Sequence, residues 1–192
     1  AAGDAGETPQ QFVDRVHQTF KDLWADLDLS HDRFIRTTED DHEDAVQYVL
    51  RKLKDNGDIY KGTFEGPYCV PCESFWTEDE LEEGNCPECH RPVEHLSEES
   101  YFFKLEKYVD DLKDHIDDNP DFIRPQTRRN EVLSQIDSGD LGDLSITRTR
   151  FDWGVPVPFD DDHVTYVWFD ALINYLTGIG FPESDDMDWT DW

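Results

Sequence analysis

The chain has 192 residues, with 46 acidic against 17 basic side chains, and its formal net charge is −29 at pH 7. This charge argues against a protein that binds a polyanion through a basic surface, so we expect no DNA partner. Hydrophobic residues make up only 36% of the chain, below the ordinary content of about 45–50%. The aromatic residues, 13% of the total, fall in periodic or clustered positions, which argues against disorder for most of the chain.

The acidic residues are spread along the whole chain and form no single tail. A folded protein with this charge repels itself in dilute buffer, whereas concentrated salt shortens the Debye length to about 3 Å. We therefore predict a halophilic protein with an acidic surface. The alternative is an acidic interaction module in ordinary cytosol.

Residues 8–28 are predicted to form a helix. Thr8 suits the N-cap, Pro9 the first helical position, and Gln11 completes a capping box. An apolar stripe along one face is predicted to pack into a core, and it consists of Phe12, Val16, Phe20, Leu23, Trp24 and Leu27.

A second helix is predicted over residues 39–55, ending near Gly57. Its buried face is expected to consist of Ala45, Val46, Val49, Leu50 and Leu53. His42, near the start of this helix, is expected on the surface.

All four cysteines of the chain lie in one pattern, C-x2-C-x13-C-x2-C, at Cys69, Cys72, Cys86 and Cys89. Two short pairs at this separation are typical of a structural zinc site with four thiolate ligands. Two disulfides or four free thiols are the alternatives, and His90 is a further candidate ligand. Aromatic residues, glycines and prolines surround the pattern, so we predict a zinc ribbon or knuckle with short strands over residues 59–96.

Shorter elements are predicted in the remainder of the chain. Helices are expected over residues 104–118 and after Pro125, and alternating residues predict a strand over 144–148. His163 to Trp168 is interpreted as another strand, and Phe169 to Leu176 as the start of a helix.

Several sequence words are distinctive. In the C-terminal third they are Ile146-Thr147-Arg148, Phe151-Asp152-Trp153-Gly154-Val155-Pro156-Val157-Pro158, Tyr166-Val167-Trp168-Phe169-Asp170-Ala171 and Asn174-Tyr175. Upstream they are Phe34-Ile35-Arg36-Thr37-Thr38, Gly57-Asp58-Ile59-Tyr60-Lys61-Gly62, Tyr68-Cys69-Val70-Pro71-Cys72-Glu73, Ser100-Tyr101-Phe102-Phe103 and Asn119-Pro120-Asp121-Phe122-Ile123. Across essentially the entire chain, these words resemble the methionyl-tRNA synthetase family.

The resemblance implies a class I aminoacyl-tRNA synthetase, which activates methionine with ATP and transfers it to tRNA(Met). It implies an α/β protein, part of a Rossmann fold split by an α+β connective-peptide insertion. Residues 1–58 correspond to the end of the first Rossmann half, 59–145 to the insertion, and 146–192 to the start of the second half. The single zinc knuckle at residues 69–89 places the chain with the single-knuckle members.

The resemblance also implies roles for individual residues. Trp168, Ala171 and Tyr175 match positions that line the methionine pocket, and Leu172 stands where many members have proline. Arg148 matches an arginine near the reacting phosphate, where a guanidinium offsets charge that develops during adenylate formation. Outside this context, Trp168 would be interpreted as core, and Asp170 is expected to be a structural hydrogen-bonding acid.

The resemblance implies structural zinc as a cofactor, and ATP and magnesium in the full-length enzyme. It also implies a cytoplasmic enzyme without a membrane partner. The family's HIGH and KMSKS words are absent and no initiating Met is present, and Asp188–Trp192 reads like the middle of an element. We therefore expect a piece of a longer enzyme that is inactive alone.

Local clusters of arginine offer contacts for tRNA despite the overall charge. One cluster consists of Arg124, Arg128 and Arg129, and Arg148 with Arg150 forms the other. Pairing of these arginines with neighbouring acids is the alternative.

Two other functions stay open. A synthetase for valine, isoleucine or leucine carries a larger editing insertion than the roughly ninety residues between Tyr60 and Arg150. A non-catalytic zinc adaptor that binds proteins would not need the junction at Tyr166–Ala171.

Overall fold

The computed structural model of the chain describes residues 1–72, 74–139, 141–150 and 152–182. Glu73, Phe151 and Asp188–Trp192, which belong to words singled out in the sequence, lie outside these ranges. Helices and strands mix along the chain, which confirms the predicted α/β class. Within the described ranges, no helix has both the length and the apolar character needed to cross a membrane.

The chain forms two compact units. The first consists of Ala1–Arg51 with Phe151–Trp192, and the second of Lys52–Arg150. Elements of the first unit are α1 (Ala2–Ala5), α2 (Pro9–Asp26), most of α3 (Asp40–Asp55), β6 (Val164–Thr165) and α6 (Val167–Gly178). Elements of the second unit are β1 (Ile59–Cys69), β2 (Ser74–Phe75), β3 (Glu94–Phe103), α4 (Val109–Asp118), α5 (Gln126–Asp137), β4 (Leu144–Ser145) and β5 (Thr147–Arg148).

Helix α2 begins with the predicted capping box. The Thr8 hydroxyl accepts a hydrogen bond from the Gln11 backbone N–H, and the Gln11 side chain accepts one from the Thr8 N–H. The predicted burial of its stripe is wrong, because no residue of α2 is fully buried. Phe20, Leu23 and Leu27 are at least half exposed, and the other members of the stripe are partly exposed. The segment that follows α2 covers the stripe only in part, through aromatic contacts such as that between Trp24 and Phe34.

Helix α3 has the predicted inner face. Ala45, Val46 and Leu50 are fully buried, while Val49 and Leu53 are partly exposed. His42 is also fully buried, so its predicted surface position is wrong. It lies three and four residues before Ala45 and Val46, and this spacing places it on the same helical face.

The second unit is built on an antiparallel sheet with strand order β2-β1-β3-β4. The prediction of short strands is wrong for the central pair, since β1 has 11 residues and β3 has 10. The pair runs from Ile59 opposite Phe103 to Tyr68 opposite Glu94. Because the strands are antiparallel, the end of β1, with Cys69, lies beside the start of β3 at the same end of the strand pair.

The segment predicted as one strand over 144–148 is divided in two. Leu144–Ser145 pairs with the end of β3, and Ile146 then donates its backbone N–H to the Tyr101 carbonyl at 2.8 Å. The Thr147 hydroxyl accepts a hydrogen bond from the Tyr101 backbone N–H. A side-chain oxygen therefore takes the place of the backbone carbonyl that would accept this bond in a regular strand pair.

The second predicted strand, His163 to Trp168, is shorter than predicted. Val164–Thr165 forms β6, Tyr166 is the extended N-cap of α6, and the helix begins at Val167. The β-branched and aromatic residues favour a strand locally. An acid in the first helical turn, Asp170, complements the helix dipole and has a buried partner, and tertiary packing therefore decides the conformation.

Candidate functional site

The two cysteine pairs lie on two tight turns of the second unit. Cys69 is the last residue of β1, and Cys72 closes the turn that follows it. The second turn is held by hydrogen bonds from the Cys86 N–H to the Arg91 carbonyl (2.9 Å) and from the His90 N–H to the Cys86 carbonyl (2.8 Å).

The four sulfur atoms converge on one point. All lie within 4.8 Å of one another, with Sγ–Sγ distances of 3.4 Å between Cys69 and Cys89 and 3.9 Å between Cys86 and Cys72. These distances exclude disulfides, whose sulfurs lie about 2.05 Å apart. Four ligands at about 2.3 Å from a tetrahedral zinc ion would lie about 3.8 Å from one another. The four cysteines therefore fit a metal ion with four thiolate ligands.

The thiols of this cluster differ in acidity. Burial raises the pKa of Cys69, and hydrogen bonding to Cys89 together with burial raises the pKa of Cys72. Burial also raises the pKa of Cys86, but hydrogen bonds from the Cys89 and Glu88 backbone N–H groups outweigh it and bring the pKa down to about 7. Because the thiolate is the form that binds a metal, the lowered pKa favours Cys86 as a metal ligand.

His90 does not belong to the cluster. Its side chain is 72% exposed, and its Nδ1 atom lies 3.4 Å from a Glu82 carboxylate oxygen. The candidate ligand set for a metal therefore consists of the four cysteines.

Helix α6, in the first unit, carries the predicted methionine-binding residues on one exposed face. Trp168, Leu172 and Tyr175 are 66%, 63% and 73% exposed, and Ala171 lies between them. Their spacing of three and four residues places them side by side on the helix. Large apolar side chains that lie together in the open form a surface suited to an apolar ligand.

The opposite face of α6 is buried, and sequence reasoning missed its partner. Asp170, Ile173 and Thr177 are 9%, 6% and 1% exposed. His42 of α3 contacts the two polar residues: its Nε2 lies 2.6 Å from Asp170 Oδ1, and its Nδ1 lies 3.0 Å from Thr177 Oγ1. The position of His42 in the apolar repeat of α3 is the sequence signal that could have predicted its burial. Asp170 is the structural acid that the sequence led us to expect.

Arg148 lies in the second unit within a network of hydroxyl groups. Its side chain is largely buried and donates from Nη1 to Ser145 Oγ (2.8 Å) and to the Thr147 carbonyl (2.7 Å). Ser100 Oγ lies 2.7 Å from Ser145 Oγ and donates to the same Thr147 carbonyl at 2.9 Å. These hydrogen bonds therefore hold the guanidinium in one orientation. A fixed orientation suits a positive charge that must interact with a ligand at a defined position.

The first arginine cluster is paired with acids. Arg124, Arg128 and Arg129 lie 2.7, 2.5 and 2.7 Å from carboxylates of Asp121, Glu131 and Asp117 respectively. These pairs support the alternative reading of the cluster, in which neighbouring acids neutralise it.

The family model for tRNA synthetases class I (M) matches residues 1–97 and 91–192. A methionine–tRNA ligase of Clostridium acetobutylicum is 52% identical over 96% of the chain, and one of Thermotoga maritima is 52% identical over 97%. The chain spans 29% and 30% of the length of these two curated relatives.

Solved structures agree with these sequence matches. A Mycobacterium tuberculosis methionyl-tRNA synthetase in complex with methionyl-adenylate is 48% identical, with a TM-score of 0.86. The match covers 96% of this chain and 37% of that protein. The fold is therefore that of a class I synthetase.

Proposed function

We propose that this chain, which belongs to the class I tRNA synthetases (M), is part of a longer protein with the activity of a methionine–tRNA ligase. The observation that carries the proposal is an identity of about half over nearly the whole chain to enzymes of that name. This match favours a synthetase over a non-catalytic zinc adaptor. The enzyme would activate methionine with ATP and magnesium and transfer it to tRNA(Met), in the cytoplasm where translation takes place.

The exposed face of α6 is proposed as part of the methionine site. Trp168 and Tyr175 present ring edges and faces, and Ala171 leaves space between them, as a flexible thioether requires. The exposure of these rings supports the assignment, because aromatic side chains with only a packing role are usually buried. Leu172, where many relatives of the family have proline, adds apolar surface to the same face.

Arg148 is proposed to act on the reacting phosphate. Adenylate formation places additional negative charge on the α-phosphate, and a fixed guanidinium stabilises that charge without reorganising at the moment of reaction. Its bonds to Ser145 and the Thr147 carbonyl support this role, since they leave the orientation of the side chain little freedom.

The cysteine cluster is proposed to hold structural zinc, which makes this a single-knuckle member. When bound, zinc contributes on the order of 10 kcal/mol of folding energy at such a site. Four protein ligands leave no position for a reacting group, so the cluster stabilises residues 59–145, proposed as the connective-peptide insertion between the Rossmann halves 1–58 and 146–192. We also propose a halophilic source, on the basis of the net charge of −29.

The test is methionine-dependent exchange of pyrophosphate into ATP by the full-length protein that carries this chain. Trp168→Ala should raise the KM for methionine at least about tenfold while the KM for ATP stays the same, since only the amino acid contacts this ring. The matched control is Phe122→Ala, which removes an aromatic ring that is 57% exposed and lies outside α6. Wild-type protein that exchanges with another amino acid and not with methionine would contradict the proposal.

A further inference from the structure

We propose that His42 is a positioning residue that fixes the rotation of α6 and thereby the direction of its methionine-binding face. The inference rests on the proposed function, because it assigns a role relative to that face. Neither His42 nor its partners lie on the face itself, so the effect is exerted through the helix.

The two faces of α6 are sharply divided. At 100° per residue, Asp170 and Thr177 lie about 160–180° around the helix from Trp168, whereas Tyr175 lies within about 20° of it. Burial follows the same division: Thr177 is 1% exposed and Tyr175 is 73% exposed. Contacts to the buried side therefore determine where the exposed side points.

His42 contacts two turns of α6 at once. The Nε2–H group donates to the Asp170 carboxylate at 2.6 Å, near the start of the helix. The Nδ1 atom lies 3.0 Å from the Thr177 hydroxyl, seven residues later. One imidazole ring that engages residues two turns apart opposes rotation of the helix more strongly than contacts confined to one turn.

Arg33 adds a contact at the C-terminal end of the helix. Its Nη1 donates to the Thr177 carbonyl at 3.0 Å, and its guanidinium is itself paired with the Glu39 and Asp41 carboxylates. Residues from the start of α3 and from the segment before it therefore hold the same turn of α6 that His42 contacts.

The arrangement is rigid because it is buried. His42 is fully buried and uses both ring nitrogens, so loss of either contact would leave a polar group without its partner away from water. A binding site must be held within about 0.5 Å to function well. Rotation of a helix by about 15° moves an atom about 5 Å from its axis by more than about 1 Å, enough to disturb the ligand contacts.

The experiment measures KM for methionine and for ATP separately, by pyrophosphate exchange with the full-length protein. Thr177→Val keeps the size of the side chain and removes the hydroxyl, and we expect it to raise the KM for methionine at least about fivefold with the KM for ATP unchanged. His42→Gln should have a larger effect of the same kind. Thr177→Ser retains the hydroxyl and should restore the wild-type KM.

A merely structural role would give a different result. Asp58→Asn is the matched control, because Asp58 is a buried carboxylate of the second unit that pairs with Lys107. It should lower the temperature of unfolding and leave both KM values unchanged. A lowered active fraction in Thr177→Val, with an unchanged KM for methionine, would overturn the positioning role.

Two further results separate this inference from the proposed function. If His42→Gln does not fold, Thr177→Val and Thr177→Ser decide the question by themselves. If the wild-type protein shows no exchange with methionine, the proposed function fails and the inference fails with it. Exchange by the wild type with the same KM for methionine in all the Thr177 variants overturns the inference alone.

Discussion

The Sγ atoms of Cys69 and Cys89 lie 3.4 Å apart although 20 positions separate the two residues in the chain. Antiparallel pairing of β1 with β3 is the cause, since it returns the chain after the second turn to the end of β1 where the first turn begins. The pairing of the two long strands therefore brings the two cysteine turns together.

Substitution of one cysteine is expected to remove the metal. Cys86→Ser should lower the zinc content of purified protein from one ion per chain to a small fraction, because a serine hydroxyl is a poor replacement for a thiolate. Metal analysis of the dialysed protein measures this. His90→Ala is the control and should keep one zinc ion, since His90 is turned towards Glu82. Equal zinc content in both variants would contradict the four-cysteine assignment.

The ion pair between the buried Asp58 and the half-exposed Lys107 is expected to make stability depend on pH. Hydrogen bonding to Lys107 lowers the pKa of Asp58, and the same contact raises the pKa of Lys107. The contribution of Asp58 is therefore present above its ordinary pKa of about 3.9 and is lost as pH falls through the lowered value. The contribution of Lys107 is present below about pH 10.4 and is lost as pH rises through its raised pKa.

Urea unfolding of wild type and Asp58→Asn over a pH series tests this expectation. The difference in free energy of unfolding should be constant near neutral pH and should disappear in acid. Asp137→Asn is the control, because its pair with Lys113 is exposed to solvent, where an ion pair contributes little to stability. A difference for Asp58→Asn that persists in strong acid would contradict the assigned ion pair.

The hydroxyl network around Arg148 is expected to affect the rate of methionine activation. Ser145→Ala removes one acceptor of the guanidinium, and loss of about 1 kcal/mol of orienting interaction should lower kcat about fivefold. Arg148→Lys should lower it further, about a hundredfold, since an ammonium cannot keep the same two contacts. Pre-steady-state measurement of adenylate formation reports both effects.

The control for these variants is Arg124→Lys. Arg124 is an exposed arginine paired with Asp121, and its replacement should leave adenylate formation unchanged. If Arg148→Lys forms adenylate at the wild-type rate, the proposed role of Arg148 at the phosphate is wrong.

The stability of the protein is expected to increase with salt concentration, because salt screens the repulsion between its acidic side chains. Helix α4 offers a local test of this expectation. Its exposed acids Asp110, Asp114 and Asp118 follow one another at intervals of four residues, and each such like-charge pair destabilises a helix by about 0.2–0.5 kcal/mol. Asp114→Lys should therefore stabilise the protein by about 0.5–1 kcal/mol at 0.1 M KCl and by much less at 2 M. Thermal unfolding at the two concentrations measures the difference. Full wild-type stability at low salt would count against a halophilic protein.

Local signals in the sequence determined much of this protein. The capping box at Thr8, the bounds of α3 and the apolar face of α3 all follow from interactions between residues three or four positions apart, which a linear sequence displays directly. The spacing of the four cysteines likewise predicted their convergence, because two tight turns bring each pair together. The distinctive words at residues 146–175 carried the resemblance that the comparisons confirmed at the level of the family.

Only the tertiary structure decided the environment of the side chains in the candidate sites. His42 meets Asp170 and Thr177, which lie 128 and 135 positions further along the chain, and no local pattern specifies such partners. For the same reason the residues around Trp168 predict a strand, whereas Trp168 lies in α6. The buried contact of Asp170 with His42 stabilises this helix. Arg148 was assigned from its sequence word alone, yet its fixed orientation depends on the contact of Ser145 with Ser100 of another strand. Local propensities are worth tenths of a kcal/mol per residue, and burial of partnered polar groups outweighs them.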